Sequence, residues 1–294
     1  IILKIKQSVV ATTRFSIFYY FLFGSLFIMG CQNETLPKET ATTYQKVAGK
    51  TMGTTYHVTY SDSLNRDFKN SFDRLLVALN REVNTYDSTS VISNLNRAGA
   101  GDFDGSDAPH FVANFWAARI IYETTEGAFD PTVAPLVNYW GFGYTPKRKV
   151  TAVDSTKIAA LMERVGLDKI ELSADNQTLT KKIAGVQLDF GAIAKGYGVD
   201  MLGKFLERQT VQNYLVEIGG EVRARGKNPT GQGWKLGINV PQEGAAITDF
   251  QTVVTLENQG LAIEVTGRGF VKEQSLPPGT IIRDGMRIQL ELTL

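Results

Sequence analysis

An aspartate set between apolar residues is the first place where this chain departs from a purely structural pattern. Gly127-Ala128-Phe129-Asp130-Pro131-Thr132 runs on to Pro135-Leu136-Val137 and Trp140-Gly141-Phe142-Gly143. A carboxylate in such surroundings is rare without a partner. Proline is favoured at the first helical position, so Asp130 also reads as the cap of a short helix starting at Pro131, and alone that reading is the stronger. A second segment is Leu188-Asp189-Phe190-Gly191-Ala192-Ile193-Ala194-Lys195-Gly196-Tyr197. It follows a strand-like run and opens a helix. Gly191 and Gly196 let backbone approach a ligand, a helix N-terminus favours phosphate, and Lys195 adds a compact positive charge. The Lys-Ser/Thr pair of a Walker motif is absent. A helix with Asp189 near its positive end and Lys195 on a solvated face accounts for the same residues, and the two readings balance. A third is Val216-Glu217-Ile218-Gly219-Gly220-Glu221-Val222. Its paired glycines read as a hairpin turn, although they would also let a planar ring lie against backbone.

These segments need elements to position them. Val47 to Tyr60 reads as a strand pair around Met52-Gly53-Thr54. Phe68, Phe72, Leu75, Leu76, Leu79 and Val83 repeat at helical spacing with charged residues between them. A shorter helix is expected over Ser90 to Asn96, a loop over Gly99 to Asp107, and a helix through Phe111, Phe115, Ala118 and Tyr122 that stops near Gly127. Ile158 to Val165 marks another. Strand-like runs follow at 169–172, 178–181 and 186–190, then a helix over Ile193 to Arg208. Beyond it, 213–218, 221–224, 234–240 and 251–256 read as strands. Helices early and strands clustered late give an α+β fold class rather than regular βαβ winding.

Composition narrows the chemistry. Of 294 residues, 31 are Lys or Arg and 30 are Asp or Glu, a net charge of +1 that lacks the basic excess of a nucleic-acid binder. One cysteine excludes an internal disulfide and a cysteine-cluster metal site. The histidines are His57 and His110. Neither lies near a nucleophile signal, and His57 reads as a structural residue on a strand. Lys4, Lys6 and Arg14 precede an almost unbroken apolar run from Phe15 to Met29, shorter than the ~20 residues of a spanning helix. That is the layout of an export signal. It ends Leu26-Phe27-Ile28-Met29-Gly30-Cys31, with the only cysteine directly after a small residue, and this resembles a bacterial lipobox. The expected organisation is a signal over 1–30, lipidation at Cys31, a polar tether over 31–46 and a core over 47–262. The expected location is outside the cytoplasmic membrane, anchored to a membrane by lipid.

Five motifs in this order resemble the FAD:protein FMN transferase family (ApbE-like). They are Thr51-Met52-Gly53-Thr54, Asn84-Thr85-Tyr86-Asp87 with Ile92-Ser93-Asn94-Leu95-Asn96, Gly127–Thr132 with Trp140–Gly143, Asp189–Gly198, and Asn213–Gly226. The resemblance implies an α+β, ApbE-like flavin transferase fold with FAD in a cleft. It also implies use of Mg²⁺, transfer of FMN from FAD to a Thr hydroxyl of a target protein, and release of AMP. The partners it implies are FAD and a Thr-bearing acceptor subunit of a membrane-associated electron-transfer complex. By the same resemblance Met52, Tyr86, Ala128, Phe129, Asp130, Asp189 and Lys195 fall at FAD-contacting positions, and Ala192 where the family offers a backbone carbonyl to Mg²⁺.

After Ala262 the chain leaves that pattern. The family's Thr-Ser-Gly, its histidine segment and its metal-holding Asp and Thr are not matched, so no catalytic residue is assigned. Residues 263–294 are instead similar to the end of a PASTA module of penicillin-binding proteins. Their join inside a strand, without a linker, reads as a spliced reading frame. On this reading the fold is C-terminally incomplete and transfer activity is impaired. The alternative is a non-catalytic or FAD-hydrolysing flavin-binding lipoprotein. The lipobox reading makes one direct prediction. Cys31→Ser should abolish incorporation of a radiolabelled fatty acid, and continued labelling of that variant would exclude Cys31 as the attachment point.

Overall fold

A computed structural model describes residues 43–146, 152–240 and 250–256, isolated positions between 242 and 249, and the strand backbones at 262–267, 270–274, 281–282 and 287–293. The expected signal, Cys31 and most of the tether lie outside the described residues. The chain opens with the hairpin β1 (Tyr44–Thr51) and β2 (Thr54–Ser61). Helices α1 (Lys69–Val83) and α2 (Val91–Arg97), strand β3 (Gly101–Asp104) and helices α3 (Pro109–Thr124), α4 (Ala134–Tyr139) and α5 (Ser155–Met162) follow. Then come β4 (Ile170–Leu172), β5 (Thr178–Lys181), α6 (Ala194–Arg208), and the hairpin β6 (Tyr214–Ile218) and β7 (Glu221–Arg225). The remaining strands are β8 (Trp234–Asn239), β9 (Phe250–Leu256), β10 (Ala262–Gly267), β11 (Phe270–Gln274), β12 (Ile281–Ile282) and β13 (Arg287–Thr293).

These two hairpins join into one antiparallel sheet in the order β1-β2-β6-β7. Alternate residues of its central strands, Tyr56, Val58 and Tyr60 on β2 and Tyr214, Val216 and Ile218 on β6, are all buried, as the period of two requires. Onto this apolar face α1 brings Phe72, Leu76 and Leu79, and α6 brings Leu202 and Leu206. Each such side chain contributes about 1.5–3 kcal/mol by leaving water. Gly198 lets α6 seat closely: a Cβ there would stand 3.2 Å from Ile218 Cδ1 and 3.3 Å from Leu79 Cδ2. Smaller sheets are β3-β5-β4, β12-β9-β8 and β10-β13-β11.

Three local expectations change. Residues 101–104, expected as loop, form β3, because its backbone pairs with β5 from Gly101↔Lys181 to Asp104↔Thr178. Residues 186–190, expected as a strand, have no ladder partner among the described residues. Leu188 is instead held by one side chain: its N–H donates to Asn96 Oδ1 at 2.7 Å, and Asn96 Nδ2 donates to its carbonyl at 2.8 Å. No helix starts at Pro131. α4 begins at Ala134, and Asp130 Oδ1 accepts from the Thr132 N–H at 2.8 Å and the Thr132 hydroxyl at 2.6 Å, closing a tight turn.

Two polar fixtures tie helices to the frame. Glu82, on α1 and buried, accepts from the His110 and Phe111 N–H groups at 2.7 and 2.9 Å, so α1 caps α3. Lys181, 1 % exposed, donates to the carbonyls of Leu95 and Ala98 at 3.0 and 2.7 Å at the C-terminal end of α2.

The Asn96 clamp predicts a large effect from a small change. Asn96→Ala strands a buried N–H and a buried carbonyl, and should lower unfolding free energy by about 2–4 kcal/mol in urea titration; a loss below ~0.5 kcal/mol would show that water replaces the amide. The turn after β2 predicts a pH dependence. The Arg66 guanidinium, 2.7 Å from Asp62 Oδ1, holds the Asp62 carboxyl below its usual range. The unfolded chain therefore takes up this proton at higher pH than the folded one. The stabilisation is complete above the ordinary carboxylate range and is lost as pH falls through the folded value. Asp62→Asn should flatten the acid limb of the stability profile, read by thermal melts between pH 2 and pH 6.

Candidate functional site

Two hairpin turns lie side by side at one end of the four-stranded sheet. Both have two-residue loops, since Thr51 pairs with Thr54 and Ile218 with Glu221. Both loops take positive φ throughout, 47° and 72° at Met52 and Gly53, 54° and 98° at Gly219 and Gly220, the geometry that matches strand twist. β2 and β6 run antiparallel, so the start of one meets the end of the other, and the Gly219 N–H donates to the Thr55 carbonyl at 3.2 Å. Glycine is required at 219 by space as well as by φ. A Cβ there would sit 2.7 Å from Thr54 Cγ2 and 3.3 Å from Lys195 Cδ. Met52 has no such excuse. A non-glycine residue in the left-handed region costs about 1–2 kcal/mol, and such strain clusters at functional sites.

Lys195, on the first turn of α6, reaches this end of the sheet. Its Nζ lies 2.8 Å from Glu221 Oε1 and 3.4 Å from the Gly219 carbonyl. The α6 N-terminus carries no side-chain cap, which leaves its positive end for an anion. Just ahead of it, Asp189 Oδ1 accepts from the Gly191 N–H at 2.7 Å, and Ala192 is exposed in the turn that follows. The Asp189 N–H donates to the Pro131 carbonyl at 2.8 Å, which joins this turn to the Ala128–Thr132 segment. There Ala128 is exposed, while Phe129 packs partly on the core and Asp130 is half-buried. Tyr86 is 71 % exposed; its N–H donates to Asn84 Oδ1 at 2.9 Å and its hydroxyl lies 3.5 Å from the Phe142 carbonyl. Trp140 and Phe142 also expose their rings. An open groove of about 530 Å³ runs from the Met52 turn past Asn80 and Arg81 to Asn84 and Asp87.

The expected site residues thus fall into linked groups. Met52, Lys195 and the Gly219–Gly220 turn share one end of the sheet, and the groove connects that end to the Asn84–Asp87 corner. Asp130 and Asp189 lie on segments joined through Pro131, and Tyr86 meets the Trp140–Gly143 segment. Cys31 lies outside the described residues. The Gly219–Gly220 hairpin and the strand placement of His57 agree with expectation; His57 Nδ1 pairs with Glu217 Oε2 across strands at 2.8 Å. Among the described residues no three His, Cys, Asp or Glu side chains gather where they could hold a metal ion. The Ala192 carbonyl alone falls far short of the ~6 oxygens of Mg²⁺, so these residues do not by themselves fit that ion. Sequence reasoning assigned no role to Asn96, which anchors the Asp189 segment, or to Glu221, which holds Lys195. The signals were a polar residue at helical spacing from Ile92, on the buried side of a short mixed helix, and a carboxylate directly after a Gly-Gly turn.

The sequence model of the ApbE family matches residues 52–269, running past Ala262 into the segment that seemed PASTA-like. The chain is 35 % identical over 245 residues to a FAD:protein FMN transferase of Haemophilus influenzae, covering 81 % of this chain and 68 % of that one. It is 35 % identical over 208 residues to the one from Vibrio cholerae, covering 66 % and 58 %. Among solved structures, the flavin transferase ApbE from Vibrio cholerae matches with a TM-score of 0.63 and 33 % identity, over 68 % of this chain and 65 % of that one. The apo flavinyl transferase ApbE of Pseudomonas stutzeri also gives 0.63, with 31 % identity over 73 % and 68 %. The chain therefore spans from 58 to 68 % of the length of these relatives. A match of this extent, over the segments that build both hairpin turns and the α6 N-terminus, places the chain in the ApbE family.

Proposed function

We propose that this chain is a FAD:protein FMN transferase, in which FAD lies along the groove and across the end of the sheet, between the Met52 turn and the α6 N-terminus. The observation that carries the reading is the convergence of Met52, Gly219 and Lys195 at that end, from segments far apart in sequence. Lys195 and the uncapped α6 start suit a pyrophosphate. Asp130 and Asp189 are acceptors for N–H and O–H donors of the adenine, ribose or isoalloxazine. In the reaction proposed, the oxygen of an acceptor Thr hydroxyl bonds to the phosphorus on the flavin side of FAD. The bond from that phosphorus to the bridging oxygen breaks, AMP leaves with that oxygen, and the hydroxyl proton passes to solvent. Mg²⁺ belongs to the proposal with the Ala192 carbonyl as one ligand, and when bound it would offset negative charge on the pyrophosphate. The acceptor is proposed to be a Thr-bearing subunit of a membrane-associated electron-transfer complex, reached by an enzyme tethered through lipid on Cys31.

The test is incubation with FAD, Mg²⁺ and a Thr-bearing acceptor, followed by in-gel flavin fluorescence after denaturation. Because the family's metal-holding Asp and Thr are not matched after Ala262, a faint acceptor band or none is expected, and strong labelling would overturn the expected impairment. FAD consumption with AMP release and a dark acceptor would make the chain a hydrolase, and absence of FAD binding would remove the reading. The carboxylates give a sharper prediction. In Asp130→Asn the amide oxygen keeps the Thr132 bonds, and in Asp189→Asn it keeps the Gly191 bond. Each variant should weaken FAD binding about tenfold and leave the melting temperature of the ligand-free protein nearly unchanged. A large stability loss with unaltered FAD affinity would make both residues purely structural.

A further inference from the structure

We propose that Asn80 is a ligand-binding residue on the wall of the groove, its Oδ1 accepting a hydrogen bond from a hydroxyl or N–H of FAD. The inference rests on the FAD reading above. Asn80 follows Leu79 on α1 and lines the groove beside Thr51, Met52 and Arg81. Asparagine is a poor residue for a helix interior, because its amide competes for backbone groups. Here the side chain folds back along α1, and Nδ2 donates to the Leu76 carbonyl at 2.7 Å and to Thr51 Oγ1 at 3.0 Å. Those two bonds use both amide hydrogens. They also fix which way the amide faces, since the reverse orientation would set its oxygen against the Leu76 carbonyl, which has no hydrogen to give. Oδ1 is left as the free end and meets no donor among the described residues. Unlike Asn114 Oδ1 and Glu221 Oε2, which protein atoms cover, it stays open to solvent. An amide oxygen only accepts, so it repels phosphate oxygens and pairs with a donor. That sets the register of a bound FAD: the pyrophosphate belongs at the Lys195 end, and a part bearing ribityl or ribose hydroxyls, or a ring N–H, lies against α1. Thr51 is the last residue of β1 and the neighbour of Met52. Its bond to Asn80 therefore holds the oxygen and the Met52 turn in place relative to each other before the ligand arrives, which lowers the ordering cost of binding.

Two substitutions separate contact from support. Asn80→Ala removes the oxygen and the tie to the turn together. Thr51→Val removes the tie and leaves the oxygen, with the amide still held by the Leu76 carbonyl. Asn80→Ala should raise the Kd for FAD about tenfold, read by quenching of flavin fluorescence. Its ligand-free melting temperature should be unchanged or raised, because alanine is the better helix former. Thr51→Val should raise the Kd by less than about threefold. Asn80→Leu, similar in size to asparagine and also a good helix former, should match Asn80→Ala and provides the reading if the alanine variant does not fold. A loss of affinity in the Asn80 variants clearly larger than in Thr51→Val supports the contact. Unaltered FAD affinity in the Asn80 variants overturns it. So does an equal loss in all three, which leaves Asn80 as a brace for the Met52 turn. A wild-type chain that binds no FAD overturns the functional reading itself, and this inference with it, so the two failures are told apart by the wild-type titration.

Discussion

The approach to the α6 N-terminus depends on how Leu188 is held. The 186–190 segment carries buried residues on both sides of Asp189, yet no neighbouring strand takes its peptide groups among the described residues. Buried N–H and carbonyl groups require partners, and one amide side chain supplies both. Asn96 reproduces with a single residue what a ladder supplies with a strand. With Leu188 fixed, Asp189 reaches the Pro131 carbonyl, and the turn that launches α6 is set. The orientation of Lys195 is thus inherited from a helix some hundred residues earlier in the chain.

That helix is itself dependent. α2 has 7 residues, well below the length at which a helix stands alone in water. Ser90 caps its first turn, accepting from the Ser93 N–H at 3.2 Å, and Lys181 of β5 closes its last turn. Burial pushes the Lys181 ammonium below its usual range, and it has no carboxylate among its described hydrogen-bond partners. The negative end of α2 takes that role. A lysine used in this way adds direction more than strength, because its ammonium donates only where the carbonyls of α2 stand.

Much of this was legible in the residues, and what was not has physical reasons. α1 was plain because Phe72, Leu76, Leu79 and Val83 repeat on one face over about three turns, and the β6–β7 hairpin because Gly-Gly permits the turn it needs. β3 was hidden because Gly-Asp-Phe-Asp has no apolar alternation; its place comes from pairing with β5, a tertiary event. Residues 186–190 were apolar enough for a strand, but apolar character does not say whether a ladder or a side chain will satisfy the backbone. The helix expected at Pro131 lost to Asp130, whose carboxylate found Thr132 two residues on. For the site, residue types were readable and convergence was not. Nothing local to Thr54 or Gly219 says that they touch; that follows from the pairing of β2 with β6.

The order β1-β2-β6-β7 also fixes when the ligand end comes into being. β1 and β2 form a hairpin from the first part of the core, and a lone hairpin is marginal in water. Its partner strand arrives more than 150 residues later, so closing this sheet carries the loop entropy of everything between. α1 and the β1–β2 hairpin are local and quick; the juxtaposition of the Met52 and Gly219 turns is neither. The last strand pairing that completes the hydrophobic face is also the event that creates the cradle. A chain caught before it would keep its early helices while leaving the backbone N–H and C=O groups of β2 unpaired along an open edge, the part of its folding most exposed to aggregation.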